Sequence, residues 1–161
     1  MLIQLELISE LDITQLRQYD EEYDNEISVL ADICAEFSKN KFNKFKIKAF
    51  SHELWPVDIE TDLVVFLEQL PVCIRAINLG YDCSIDLYEQ GINREILFKF
   101  NQGNYNCYGK SHDGTWIPSY AENVSQSELL KMLRTFFDHF LSALKYKHSN
   151  KYLVKWLSDN T

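Results

Sequence analysis

The chain has 161 residues, of which 46% are hydrophobic and 25% charged, with only five glycines and three prolines. This size and composition predict a single folded domain (residues 1–161) and argue against bulk disorder, because such a chain can bury roughly 70% of its unfolded surface. The formal net charge of −8 argues against nucleic acid or an anionic membrane as a partner and favours a basic protein.

The N-terminal region combines two predicted strands with an acidic loop. Residues 2–8 predict a short strand, and the polar residues 20–26 indicate a loop. Residues 27–37 alternate between apolar and polar side chains, which is the period-two pattern of a half-buried strand, although the length of the segment also fits a helix. Residues 1–38 carry ten acids and one base, so the loop lies in the most acidic part of the chain.

Residues 44–50 show a sharper alternation between apolar side chains and lysines. The apolar face consists of Phe45, Ile47 and Ala49. We expect this strand to form a hairpin with the preceding one, with Glu36 opposite Lys44 and Asp32 opposite Lys48. Opposite charges on neighbouring strands contribute about 0.2–1 kcal/mol per pair. The predicted strand pairing therefore explains the row of lysines without a nucleic-acid partner.

The middle of the chain predicts a helix followed by a meander of strands. Residues 59–79 have apolar side chains at helical spacing. Pro71 should kink this helix or start a second one, and Gly80 should end it. Three strands follow, near residues 82–89, 94–100 and 104–110, with turns at 90–93 and 102–103. Their predicted inner face consists of Cys83, Ile85, Leu87, Ile96, Phe98, Phe100, Tyr105 and Cys107.

The C-terminal region predicts two helices. Ser125 and Glu128 form a capping box at the start of the first, and its wide apolar stripe runs to about residue 147. A short second helix covers residues 150–158. Strands, a helix, more strands and then helices follow one another in this order. The sequence therefore predicts an α+β fold, an antiparallel sheet with helices packed on one face.

The sequence contains no motif for a metal site, a phosphate-binding loop or a nucleophilic triad. The cysteines are Cys34, Cys73, Cys83 and Cys107. They lie within predicted helices or strands and lack close pairing, as reduced, buried thiols of cytosolic proteins do. The N-terminus lacks the basic start of a signal peptide, and no apolar run reaches the ~20 residues of a membrane span. We expect a cytoplasmic protein with no enzymatic activity, metal or cofactor.

Carboxylates on the outer face of the predicted sheet leave an enzymatic alternative open. Asp82, Asp86, Tyr88 and Glu95 are expected to gather there, and a pair of carboxylates can carry out acid–base hydrolysis. The alternative to a binding protein is therefore a small hydrolase-like enzyme that uses this face. A subunit of a larger assembly is a further alternative, which a large apolar interface would reveal.

The acidic loop is the main candidate for a partner-binding site. It contains Asp20, Glu21, Glu22, Tyr23, Asp24 and Glu26. A tyrosine among carboxylates can provide a buried anchor with a charged rim for a basic protein, although a solvated loop has the same composition. Trp55, Trp116 and Tyr120 lie outside clear core periodicity, so we expect exposed aromatics that favour binding. Trp55 precedes Pro56 and fits the core equally well.

Several stretches form a pattern that covers most of the chain in a consistent order: Glu26–Ile33, Leu54–Asp58, Phe66–Pro71, Asp86–Arg94 and the closing amphipathic helix. They resemble a family of bacterial immunity proteins that belong to polymorphic toxin systems such as contact-dependent growth inhibition. The strand and turn Leu87–Arg94 (LYEQGINR) is the most distinctive of them.

The resemblance implies a cytoplasmic protein that binds one cognate toxin domain and blocks its active site, with no activity of its own. Immunity families share scaffolds and vary their contact surfaces, so the resemblance transfers no functional residue. A basic toxin, such as a nuclease, suits the acidic charge of this chain. Electrostatic steering raises association rates roughly 10- to 1000-fold.

Overall fold

The computed structural model describes residues 1–50, 54–88 and 93–160. The elements in these ranges are β1 (Leu2–Glu6), β2 (Leu11–Asp12), α1 (Glu26–Ser38), β3 (Lys44–Lys48), α2 (Asp62–Asn78), β4 (Cys83–Leu87), β5 (Arg94–Asn101), β6 (Asn104–Ser111), β7 (Glu122–Ser125), α3 (Gln126–Ser142), β8 (Leu144–Lys145) and α4 (Lys151–Asn160). Strands β4-β5-β6-β7 form an antiparallel sheet, β1 and β3 an antiparallel pair, and β2 and β8 a short parallel pair. The predicted α+β class is confirmed.

Residues 27–37 form a helix, so the predicted strand there is wrong. The Oδ1 atom of Asn25 accepts hydrogen bonds from the backbone N–H groups of Ile27 (2.9 Å) and Ser28 (3.1 Å) and caps α1. The buried side chains recur at the spacing of one helical face and are Val29, Leu30, Ile33, Cys34 and Phe37. The alternation was misleading because apolar residues also occupy the half-buried edges of this face.

Strand β3 forms as predicted, but its partner is β1. Phe45, Ile47 and Ala49 are buried, as the alternation of residues 44–50 predicts. On the other face, the Lys46 Nζ atom lies 2.9 Å from both carboxylate oxygens of Glu6. Alternation thus identified the buried face of the strand correctly, whereas it carried no information about the neighbouring strand.

The hairpin between residues 27–37 and 44–50 is therefore wrong, and so are the ion pairs Glu36–Lys44 and Asp32–Lys48. Both carboxylates lie on α1 instead of on a strand. Asp32 accepts a hydrogen bond from the Nε atom of Arg17 at 2.8 Å.

Helix α2 continues through Pro71 as one helix, and the predicted start of a second helix there is wrong. Leu70, Pro71 and Cys73 are buried, and their packing holds the helix together. Its end is the predicted one: Gly80 has a φ of 72°. The backbone N–H of Gly80 donates to Ile77 O (3.1 Å) and that of Tyr81 to Ala76 O (2.9 Å), which is the Schellman pattern.

The sheet β4-β5-β6-β7 contains the predicted meander and one strand, β7, that was not predicted. Most of the predicted inner face is buried; Phe100 lies on this face opposite Tyr105, but at the end of the strand it is 38% exposed. The β5–β6 turn forms at Gln102 and Gly103, with φ angles of 49° and 84°, as in a type I′ hairpin. The predicted turn at 90–93 lies outside the described residues except for Asn93.

The two tryptophans considered for exposed loops are buried. Trp55 is 2% and Trp116 8% exposed, so the core alternative holds for Trp55 and the prediction for Trp116 is wrong. Their ring centroids lie 5.1 Å apart, and Phe50 packs 6.2 Å from each. The guanidinium of Arg94 lies over both indole rings. Of the predicted exposed aromatics, Tyr120 is 40% exposed.

Helix α3 begins at the predicted capping box of Ser125 and Glu128. It ends at Ser142, about a turn earlier than expected, because the next residues join β8 and pair with β2. Its buried face packs against β1 and α2. Phe136 contacts Phe45 and Phe66, with centroid distances of 5.6 and 4.8 Å. Among the described helices, none has the length and apolar character needed to cross a membrane.

Candidate functional site

Residues 20–25 form a turn, as predicted, that is closed by its own hydrogen bonds immediately before α1, whereas Glu26, predicted to lie in the same loop, is the first residue of the helix. The backbone N–H of Asp24 donates to Asp20 O (2.9 Å), and that of Asp20 donates to the Asp24 carboxylate (2.8 Å). The N–H of Glu22 donates to the Asp20 carboxylate at 2.8 Å. Asp20 and Asp24 therefore hold the backbone in one conformation before any partner arrives, which lowers the entropy cost of binding.

Arg17 anchors this turn to α1. Its Nη1 and Nη2 atoms donate to the two carboxylate oxygens of Asp24 at 2.8 and 2.5 Å, and its Nε atom donates to Asp32. The pKa of Asp24 is held well below its usual range, first by the Arg17 hydrogen bonds and then by the N–H of Asp20. The Asp24 side chain is 10% exposed. Asp24 thus supports the turn and offers little surface to a partner.

Two further acids of the predicted site contact α4. Glu21 pairs with Lys151 and Glu26 with Lys155. The hydrogen bond from Lys155 is the largest cause of a lowered pKa at Glu26. Exposed ion pairs contribute only about 0–1 kcal/mol, so a partner's cation can replace the lysine of the exposed Glu21 pair at small cost.

Tyr23 and Glu22 remain displayed at the tip of the turn. Tyr23 is 78% exposed and Glu22 is also exposed. Neither side chain makes a hydrogen bond or ion pair to the chain segments that the structure describes. The six predicted contact residues therefore divide into supports (Asp20, Asp24), residues paired with α4 (Glu21, Glu26) and a free tip (Glu22, Tyr23). We call these six residues the acidic turn.

A second polar cluster occupies the outer face of the β4-β5-β6-β7 sheet. Asp86 and Glu95 lie directly opposite each other on neighbouring strands. The Nε2 atom of His112 is 3.0 Å from Asp86 and 3.9 Å from Glu95, and Lys110 binds Glu95 at 3.2 Å. Burial opposes ionisation of Glu95, but hydrogen bonds from Ser84 and Lys110 leave its pKa lowered. Each carboxylate is therefore held by a basic side chain.

The structure brings only part of the predicted outer-face group together. Asp82 lies apart, with its carboxylate 3.2 Å from Lys99 Nζ and 2.8 Å from the backbone N–H of Phe100. The hydroxyl of Tyr88 donates to Glu68 on α2 at 3.2 Å. Sequence reasoning missed the role of His112, because only the register of the strands places it beside Asp86. In the described part of the chain, no group of three or more His, Cys, Asp or Glu side chains is arranged to hold a metal ion.

A cleft between β1 and α3 is a third candidate surface that the sequence did not predict. Its volume is about 340 Å³, at the lower end of the range for small-ligand sites. Leu2, Ile3 and Leu5 line one side. Met132, Phe136 and His139 lie among the residues of the other side. His139 Nδ1 lies 3.2 Å from the carbonyl oxygen of Leu5. The lining is mostly apolar, so this cleft favours binding over chemistry.

Comparison of the chain with known protein families, with curated proteins and with solved structures found no match.

Proposed function

We propose that the protein is a cytoplasmic immunity protein that binds a cognate bacterial toxin domain and covers the toxin's active site. The observation that supports this most is the acidic turn, a preformed loop with an exposed tyrosine surrounded by carboxylates. The resemblance described above supports the same class. In this proposal the protein has no catalytic activity and works by occlusion.

The acidic turn suits a basic partner in two ways. Its carboxylates are part of the net charge of −8 and lie close together, which steers a cationic toxin, such as a nuclease, towards this side of the molecule. Tyr23 is large, rigid and exposed, and aromatic residues of this kind dominate the binding energy of many interfaces. The charges therefore set the association rate and the tyrosine the lifetime of the complex.

The first experiment uses the neighbouring genes, because immunity genes usually lie directly downstream of their toxins. The C-terminal region of the upstream-encoded protein is expressed with and without this chain, and growth is scored. Rescue from killing together with co-purification supports the proposal. A harmless neighbour that does not co-purify contradicts it.

The second experiment distinguishes the contribution of Tyr23, the proposed anchor, from that of Glu22, a proposed rim charge, in the complex with the toxin. Tyr23→Ala should speed dissociation at least 10-fold, because a central aromatic contributes about 2 kcal/mol or more. Glu22→Gln should mainly slow association at low salt and reduce its salt dependence. Tyr81→Ala is the matched control, since Tyr81 is 63% exposed and lies after α2. Replacing Asp20 or Asp24 would disturb the turn itself and is less informative. Equal rates for all variants would place the interface elsewhere.

The contact between His112 and Asp86 favours a second candidate, hydrolysis on the outer sheet face. A histidine oriented by a carboxylate can act as a general base. His112→Gln would then abolish hydrolysis of a panel of ester, phosphodiester and glycoside substrates and leave toxin neutralisation unchanged. Absence of any such activity in the wild-type protein contradicts this candidate.

A further inference from the structure

Two cysteine thiols meet where α2 packs against β4. The Sγ atoms of Cys73 and Cys83 are 3.3 Å apart, and both cysteines are free thiols. Cys73 is 2% exposed and lies on α2, whereas Cys83 is half-buried at the start of β4. The elements that carry them are held in register on either side. Gln69, one turn before Cys73, exchanges two hydrogen bonds of 2.9 Å with the backbone of Asp86.

The segment between the two cysteines is also fixed. The hydroxyl of Tyr105 donates to the carbonyl oxygens of Tyr81 (3.0 Å) and Ile77 (3.3 Å). The Schellman end of α2 at Gly80 sets the direction in which the chain leaves the helix. The two sulfur atoms therefore stay close without a flexible loop between them.

The pair is accessible from outside, in contrast to the other two cysteines. A cleft of about 370 Å³ is lined by Glu68, Gln69, Val72, Cys73, Cys83 and Ser84. Cys34 and Cys107 are fully buried, with 0% exposure. A small reagent that enters this cleft meets Cys83 first, because Cys83 is the more exposed of the two.

We propose that Cys73 and Cys83 are a redox-active dithiol that a small disulfide of the glutathione type oxidises to an intrachain disulfide. This modification site goes beyond the proposed function and does not depend on it. The Cys83 thiolate attacks one sulfur of the small disulfide, the bond between its two sulfurs breaks, and one thiol leaves with the proton from Cys83. The Cys73 thiolate then attacks the Cys83 sulfur and releases the second small thiol. In total, the protein loses two protons and two electrons, and the small disulfide gains them.

The second step should be the slow one. In the dithiol, the hydrogen bond with Cys83 and burial raise the pKa of Cys73 well above its usual value. Burial still opposes ionisation of Cys73 once Cys83 is in the mixed disulfide, and only the thiolate attacks. Closure should therefore accelerate as the pH rises from 7 towards 9. The product links α2 to β4 and restricts the unfolded chain, so the oxidised protein should unfold at a higher urea concentration.

The test treats the purified full chain with oxidised glutathione under native conditions. The expected result is a fall in free thiols from four to two, with a Cys73–Cys83 peptide found by mass spectrometry of a non-reduced digest. Cys73→Ala should stop at a stable adduct of one glutathione. Cys83→Ala cannot form the bond and should form the glutathione adduct much more slowly than Cys73→Ala does. Cys34→Ala should form the Cys73–Cys83 bond as the wild type does.

Peptide mapping of the wild type keeps the test decisive even if a cysteine variant does not fold. A native protein that retains four free thiols, or that accumulates a glutathione adduct without closing the bond, overturns the proposal. A disulfide that involves Cys34 or Cys107 overturns it too.

Discussion

At the residue scale, Gly109 lies where two aromatic rings approach the backbone of β6. A Cβ atom at this position would lie 2.4 Å from Trp116 Cη2 and 2.6 Å from Phe50 Cδ2. We expect Gly109→Ala to lower the free energy of unfolding by about 1–3 kcal/mol, because overpacked side chains force rings and backbone apart. Urea denaturation followed by far-UV circular dichroism measures the change.

A double-mutant cycle assigns this effect to the rings. In a Trp116→Leu background, Gly109→Ala should be less destabilising, because the nearest ring atoms are gone. The same loss in both backgrounds would mean that the contact with Phe50 or a backbone effect, and not the contact with Trp116, is responsible.

The Asp24 carboxylate provides a second prediction at this scale, concerning pH. Its pKa is well below the usual value because of the Arg17 hydrogen bonds. A lowered pKa in the folded state gives stability that is present above the unfolded pKa of about 3.9 and is lost as the pH falls towards the folded value. Asp24→Asn should therefore destabilise the protein at pH 7, and the difference from wild type should shrink below about pH 4. Urea titrations of both proteins at pH 7 and below pH 4 test this. The same difference in free energy of unfolding at the two pH values contradicts it.

Composition predicted where the acidic turn lies, but it did not predict which of its residues support the turn, pair with α4 or remain free. A polar, acid-rich segment before an apolar run indicates a loop. The pairing of Glu21 and Glu26 with Lys151 and Lys155, however, depends on how α4 packs against α1. These lysines lie about 130 positions away, and no local pattern connects them to the turn. The division of the six residues into supports, residues paired with α4 and a free tip was therefore beyond the reach of sequence reasoning.

At the scale of elements, Asn25 decides the start of α1. Its side chain accepts two backbone hydrogen bonds, from Ile27 and Ser28. We expect Asn25→Ala to reduce the free energy of unfolding by about 0.5–2 kcal/mol, whereas Asn25→Asp should retain most of it because aspartate is an equally good cap. Chemical denaturation of the three proteins gives the comparison. Equal stability of the alanine variant would contradict the assigned helix start.

Elements with a single strong signal were predicted from the sequence, and those with two competing signals were not. β3 and α3 have clear period-two and helical patterns, and β3 and the start of α3 lie where predicted. Residues 27–37 fit both periods, and the helix is favoured because its five buried side chains pack together with α2 and α4. Asn25 with Ser28 is a capping pair that lacks the usual glutamate, so it was not recognised as a helix start.

At the scale of the whole molecule, two sets of contacts are among those that join the small sheets and the helices. Phe45, Phe66 and Phe136 connect β3, α2 and α3. The carboxylate of Glu122 on β7 binds the N-terminal ammonium group of Met1, just before β1. It also accepts a hydrogen bond from the backbone N–H of Phe50, just after β3. Phe50, just after β3, also packs against Trp116 and approaches Gly109 of β6. Disrupting either sheet therefore exposes apolar surface of the other, which favours cooperative unfolding.

The tryptophans allow this cooperativity to be tested. Trp156 packs with Phe137 and Phe140 beside the helices, and Trp55 and Trp116 pack beside the large sheet. In Trp156→Phe, fluorescence reports only on the last two, while far-UV circular dichroism of the same variant reports mainly on the helices. We expect the two urea transitions to coincide, because a single domain of this size usually unfolds in one step. Separate midpoints would mean that the sheet and the helices unfold independently, and the prediction of one domain over residues 1–161 would then be wrong.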